Sequence, residues 1–318
     1  VKTKLSVSLA AAALAALVLA GCSSAGGDAS PSPSASDDTE ALQAAADAAL
    51  ETVSWDEDAD GVPTLTFAQP FNVGTTATRM ISDGDGAQIK EGDVVTLDYT
   101  VSSGEDGSVS YSTYTGSTPE AVSLIEGQID PLLIDLLVGA HVGADFLYAA
   151  VDSSTSPTTS VIMAVTVAGT VTPLDRASGT AVTPEEGLPV VTLADNGAPS
   201  VEIPKTDPPK DLVAQTLIKG DGDTVEEGDN ITVHYSGWLW DGGTQFDSSW
   251  DRGTPFTTTL TTSSLIEGWV KGLAGQTVGS QVLLVIPSDL GYGDDDSSDG
   301  SIPGGSTLVF VVDILAVS

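Results

Sequence analysis

The chain has 318 residues and carries 10 Lys plus Arg against 45 Asp plus Glu, a formal net charge of −35. That balance excludes DNA, RNA and an anionic membrane surface as main partners, because neutralising phosphate needs clustered cations. A hydrophobic content of 41% supports folded cores, and the length fits two ordinary domains. The single cysteine rules out an internal disulfide framework or a cysteine-based zinc cage. His141 and His234 share no metal-binding spacing, so neither a metal nor a cofactor is expected.

Lys2 and Lys4 precede an apolar run from Leu5 to Ala20, the pattern of an export signal and short of the ~20 apolar residues a membrane span requires. Val1 is read as an alternative start codon. Cys22 follows Leu19-Ala20-Gly21 directly, which resembles the bacterial lipobox. The resemblance implies that residues 1–21 are a lipoprotein signal peptide and that Cys22 is acylated and becomes the mature N-terminus. The expected location is extracytoplasmic, as a lipoprotein of the cell membrane, since two acyl chains suffice for a stable anchor.

Residues 22–61 read as a flexible tether, Ser/Pro/Asp/Gly-rich at first and then Ala-rich enough for a short helix of its own. From Val62 the texture becomes alternating strands broken by Gly, Asp and Asn. Glu91-Gly-Asp-Val-Val-Thr-Leu-Asp-Tyr99 repeats as Glu227-Gly-Asp-Asn-Ile-Thr-Val-His-Tyr235, 136 residues on. Val62-Pro-Thr-Leu-Thr-Phe67 and Leu188-Pro-Val-Val-Thr-Leu193 look alike at a spacing of 126, which predicts about ten extra residues in the second copy before the other landmark. Two copies of one domain follow, 62–170 and 188–318, with 171–187 as a linker.

The copies differ chemically. Nine of the 17 aromatic residues lie between Tyr235 and Phe310, a concentration that fits a lined pocket as well as a core. In that copy Ile231–Tyr235, Val282–Ile286 and Thr307–Leu315 are rich in β-branched residues and read as strands. Leu265, Ile266, Trp269, Val270 and Leu273 fall on one face of a short helix. His234 alternates outward from Tyr235 and is expected to be solvated or satisfied on its strand.

Val233-His-Tyr-Ser-Gly-Trp-Leu-Trp-Asp-Gly-Gly-Thr-Gln-Phe-Asp-Ser-Ser-Trp-Asp-Arg-Gly-Thr-Pro-Phe256 closely resembles the FKBP-type peptidyl-prolyl isomerases. So do Leu265-Ile-Glu-Gly-Trp-Val-Lys-Gly-Leu273, Val285-Ile-Pro-Ser-Asp-Leu-Gly-Tyr-Gly293 and Ile302-Pro-Gly-Gly-Ser-Thr-Leu-Val-Phe310, in the right order. The resemblance implies an α+β fold of two FKBP-like domains, each an antiparallel half-barrel sheet wrapped around one short helix. It implies Tyr235, Phe246, Phe256, Trp269 and Phe310 as an aromatic floor and walls. Leu265 and Ile266 take the family's aliphatic pair at the helix start, with the Ile266 N–H a donor to a bound carbonyl. Asp247 and Arg252 match its carboxylate and guanidinium, Tyr292 the tyrosine that reaches the substrate carbonyl, and Ile302 an apolar flap residue. The flap Asp294-Asp-Asp-Ser-Ser-Asp-Gly300 is unusually acidic and lacks the family's histidine.

The implied activity is isomerisation of X–Pro bonds in exported or unfolded proteins, with macrolide ligands of the family as further partners. A non-catalytic extracytoplasmic chaperone or client-binding module on the same fold is the alternative. In the first copy Leu133 stands for Trp269, Tyr111-Ser112 for Phe246-Asp247, Gly116 for Arg252 and Met163 for Phe310. That copy is expected to fold without isomerising.

Overall fold

The computed structural model describes residues 35–115, 118–153, 159–297 and 300–318. The expected signal peptide and Cys22 lie outside these residues. The chain divides into two compact units, Val1–Thr170 and Val171–Ser318.

Unit 1 begins with helix α1 (Ala35–Leu50), followed by the hairpin β1 (Ser54–Glu57) and β2 (Pro63–Thr66). Ala46 and Leu50 of α1 are buried with Val53, Phe71, Ala77, Leu147 and Ile162. Part of the stretch expected as tether is therefore folded: from Ala35 its alanine-rich face supplies a layer of unit 1. The main sheet contains β3 (Ala77–Ser82), β4 (Val94–Ser103), β5 (Val109–Ser112), β6 (Glu120–Ser123), β7 (Asp145–Asp152) and β8 (Thr159–Val171). Its order is β3-β7-β8-β4-β5, with β6 also on β4. Helix α2 (Pro131–Leu137) buries Leu133 and Leu137 against the other sheet face. It starts cleanly because Asp130 accepts the Leu132 N–H at 3.0 Å and Pro131 needs no donor partner in the first turn.

Unit 2 repeats the plan. After the two-residue strand β9 (Thr180–Ala181) and the hairpin β10 (Val190–Leu193) and β11 (Pro199–Glu202) come β12 (Val213–Lys219), β13 (Asn230–Leu239) and β14 (Gln245–Ser248). Then follow α3 (Ser249–Arg252), β15 (Phe256–Thr259), α4 (Glu267–Leu273), β16 (Gln281–Ile286) and β17 (Leu308–Val317). The order is β14-β13-β17-β16-β12-β9, with β15 also on β13, and the pairings among the described residues are antiparallel. Strands alternate their faces. One face carries Tyr235, Leu284, Phe310 and Val312 toward α4, and the other buries Trp238, Trp240, Leu283, Val285 and Val309 under Leu188, Val191, Val201 and Ile203 around the hairpin.

The starts of β1 and β10, β2 and β11, β4 and β13, β6 and β15, α2 and α4, and β7 and β16 are all 136 residues apart. Phe146 faces Val165 where Val282 faces Val312, so the last strands are 147 apart. The eleven additional residues of unit 2 thus sit between β16 and β17. This replaces the expected match of 62–67 with 188–193: Pro63–Thr66 is the counterpart of Pro199–Glu202, each following a tight turn that ends at Gly61 or Gly197.

The expected linker, 171–187, is also ordered against the second sheet. Leu174 N–H donates to Leu315 O at 3.1 Å, Ser178 N–H to Gly279 O at 2.9 Å, and Val182 N–H to Leu217 O at 2.8 Å. Asp313, 2% exposed, accepts the Ala177 N–H at 2.8 Å and the Gln281 side-chain amide at 2.7 Å. These bonds satisfy backbone that a free linker would leave to water.

Candidate active site

Between α4 and the face of β13 and β17 lies a cavity of about 840 Å³. It is lined by nine of the eleven pocket residues expected from sequence, namely Tyr235, Phe246, Asp247, Phe256, Leu265, Ile266, Trp269, Tyr292 and Phe310. Thr262, Ser263, Ser264, Glu267 and Gly291 complete the lining and were not foreseen. Arg252 stands behind Asp247 without lining the cavity. Ile302, 4% exposed, is part of the core beneath it.

The rings meet edge to face, the arrangement their quadrupoles favour. Centroids are 5.2 Å apart for Tyr235 and Trp269, 5.3 Å for Trp269 and Phe310, and 5.5 Å for Phe246 and Phe310, with interplanar angles of 86–87°. Phe256 closes on Tyr235 at 5.9 Å. Gly237 on β13 makes this possible, because a Cβ there would lie 2.7 Å from ring atoms of both Phe246 and Phe310. Trp269 is 3% exposed, and its Nε1 has no hydrogen-bond partner among the described residues. Tyr292, 50% exposed, stands at the mouth.

One side of the cavity is polar. Tyr235 Oη donates to Asp247 Oδ2, Arg252 Nη1 donates to Asp247 Oδ1, and Arg252 Nη2 donates to Tyr235 Oη at 3.0 Å. The guanidinium carbon also lies 5.6 Å from the Tyr235 ring centroid. Burial, reinforced by the bond to Asp247, pushes the Tyr235 hydroxyl up to about 12, so it remains a donor at neutral pH. Arg252 reaches back because α3 is a single capped turn: Ser248 Oγ accepts the Asp251 N–H, and Gly253 takes the left-handed conformation at φ 74°.

Leu265 and Ile266 immediately precede α4, whose N-cap is Ile266. The Ile266 carbonyl accepts the Trp269 N–H at 3.0 Å. Its own N–H has no partner among the described residues, as expected at a helix start.

His234 is buried rather than solvated. Its Nδ1 lies 2.8 Å from Ser249 Oγ and its ring stacks on Trp250 at 4.1 Å. Burial and the charge of Arg252 hold its pKa below the usual value. Ser249 Oγ also accepts the Tyr235 N–H at 2.8 Å, so one fully buried hydroxyl fixes β13 beside the pocket tyrosine. Sequence reasoning missed Ser249; the only signal was a serine at the start of a turn flanked by Trp250.

The first unit lacks this constellation. Tyr99 Oη donates to Glu120 Oε2 at 2.7 Å, and Glu120 occupies the Phe256 position. Tyr111 pairs with Val101 as Asp247 pairs with Gly237. Tyr111 therefore stands at the Asp247 position and Ser110 at that of Phe246, one residue from the expected alignment. Leu133 and Met163 are buried where Trp269 and Phe310 stand in unit 2, filling the space between helix and sheet. Gly116 lies outside the described residues.

A cavity walled by perpendicular rings, with an anchored carboxylate on one side, suits a compact apolar ring joined to a polar chain. Residues 222–315 match the family model for FKBP-type peptidyl-prolyl cis-trans isomerase. An "FK506-binding protein" of Streptomyces anulatus is 41% identical over 119 residues, covering 37% of this chain and 96% of that protein. One from Neisseria meningitidis serogroup B is 44% identical over 106 residues, 33% of this chain and 95% of its own length. "Peptidyl-prolyl cis-trans isomerase FKBP15-1" of Arabidopsis thaliana is 51% identical over 94 residues, 30% of this chain and 60% of its own. The chain belongs to the FKBP-type peptidyl-prolyl cis-trans isomerases, and the residues matched by the family model, 222–315, fall within unit 2.

Proposed function

We propose that unit 2 isomerises X–Pro bonds of exported proteins by holding the proline ring on Trp269 among Phe246, Phe256 and Phe310. The observation that carries this is the edge-to-face cavity around Trp269. Rotation about the amide is slow because resonance imposes a barrier of ~18–20 kcal/mol. The twisted amide has lost that resonance, so its carbonyl is less dipolar and its nitrogen more pyramidal. A dry aromatic wall disfavours the planar polar form relative to the twisted one. Tyr292 at the mouth and the Ile266 N–H orient carbonyls of the peptide, while Arg252 and Tyr235 hold the Asp247 carboxylate in place. The reaction as drawn needs no nucleophile and no proton transfer. Macrolides that fill such a pocket compete with the peptide.

The export signal and the Leu19-Ala20-Gly21-Cys22 motif support acylation of Cys22 and a place outside the cytoplasm at the membrane. The two FKBP-like domains are one active copy and one filled copy, the latter without isomerase activity.

The test is cis-to-trans isomerisation of a short X–Pro peptide by the full chain. Trp269→Leu is expected to lower kcat/KM at least about tenfold, or about 1.4 kcal/mol of transition-state stabilisation. Tyr292→Phe is expected to lower it less. Full activity in Trp269→Leu, or none in the parent chain alongside suppressed client aggregation, would overturn the catalytic reading in favour of a binding module. Loss of lipid labelling on Cys22→Ser checks the anchor.

A further inference from the structure

We propose that the mouth of this cavity selects prolyl segments flanked by lysine or arginine, through uncompensated carboxylates on the flap. The proposal rests on the isomerase reading of the same site. After Lys219 the chain has two basic residues besides His234, Arg252 and Lys271. Both are committed. Arg252 is paired with Asp247, and Lys271 Nζ lies 2.6 Å from Glu267 Oε1, one turn away on α4. The cavity's own carboxylates, Asp247 and Glu267, are therefore each matched by a cation.

Three carboxylates that flank Tyr292 are not matched among the described residues. Asp289, Asp294 and Asp295 are exposed and have no ion pair among the described residues. They bracket Gly291 and Tyr292, which line the cavity. Asp294 and Asp295 lie two and three residues beyond Tyr292, within roughly 7–11 Å of chain, comparable with the ~8 Å screening length at physiological ionic strength. Across the mouth, Thr262, Ser263 and Ser264 offer hydroxyls and no charge. Asp296 differs from its neighbours, since its Oδ1 accepts the Gly304 N–H at 2.9 Å and shapes the loop. A peptide seated with its proline on Trp269 carries its flanking residues past this negative edge. A cation there gains attraction and a carboxylate meets repulsion, whereas the apolar floor sees neither.

The test measures kcat/KM of the full chain on three peptides that differ only in having Lys, Ala or Glu next to the proline, at low and high salt. The expected order is Lys, Ala, Glu, with steps of about two- to fivefold that shrink at high salt, the size exposed charge pairs produce. The double substitution Asp294→Asn with Asp295→Asn narrows the Lys-to-Glu ratio. Glu185→Gln with Glu186→Gln, the same charge loss beside β9 at the far sheet edge, leaves it unchanged. Equal rates on all three peptides, a ratio that ignores salt, or equal narrowing by both double substitutions would overturn the proposal while leaving the isomerase reading standing. Turnover of no peptide would overturn both.

Discussion

Single residues around the pocket carry more than their motif positions suggest. Gly237 is the clearest case, since any Cβ there collides with two rings 5.5 Å apart. Gly237→Ala is expected to raise KM for a prolyl peptide several-fold, with the unfolding midpoint as control for a general loss of fold. His234 has its folded pKa below the ordinary 6.5, so the unfolded chain takes up a proton first as pH falls. Its contribution to stability is complete above about 6.5 and is lost as pH drops through that value toward the folded pKa. Urea midpoints at neutral and mildly acidic pH should fall in the parent and fall less in His234→Gln. Asp313 is different: burial raises its pKa, and two donors depend on it. Asp313→Ala should cost about 1–3 kcal/mol by orphaning them, while Asn, which keeps an acceptor, should cost less. The aromatic pocket residues were legible from sequence because their identities match a family pattern. His234 and Asp313 were not, because burial of a polar side chain depends on partners, Ser249 and Ala177, that no local pattern announces.

At the scale of elements, the two helices reach the same seat by opposite means. Gly268 and Gly272 let α4 lie close to β16, where a Cβ would meet Ile286 at 2.4 Å and Leu284 at 2.5 Å. The equivalent positions of α2 are Leu132 and Leu136, and the residue matching Ile286 is Ala150. At the Gly268 pair bulk has moved from strand to helix, whereas at the Gly272 pair Leu136 stands with Tyr148 at the Leu284 position. Gly268→Ala should therefore destabilise by about 1–3 kcal/mol through overpacking, despite the ~1 kcal/mol gain in helix propensity; chemical denaturation of the full chain measures it. The β-branched runs announced β13, β16 and β17, and the apolar spacing announced α4. The two covering hairpins were invisible, since texture alone matched β2 to the wrong strand of its counterpart. Their marker was the turn, Asp58 to Gly61 and Ala194 to Gly197. Six of the nine crowded aromatics line the pocket, whereas Trp238 and Trp240 alternate to the other sheet face and hold the second hairpin.

The whole molecule is a repulsive one, with a net charge of −35. Raising salt should raise its melting temperature by screening like charges, and a flat response by calorimetry would show that the carboxylates lie too far apart to matter. The two units share one scaffold and differ mainly between their last two strands. That connection spans 153–158 in the first unit and 287–307 in the second, 6 residues against 21, because besides the eleven extra residues the pairs Val151–Ser160 and Asp152–Thr159 extend the strands only in the first unit. Closing the longer loop costs about 1 kcal/mol more in chain entropy, since each doubling adds ~0.6 kcal/mol. On that term alone the isomerase copy should be the slower of the two to join its final strand as the chain folds.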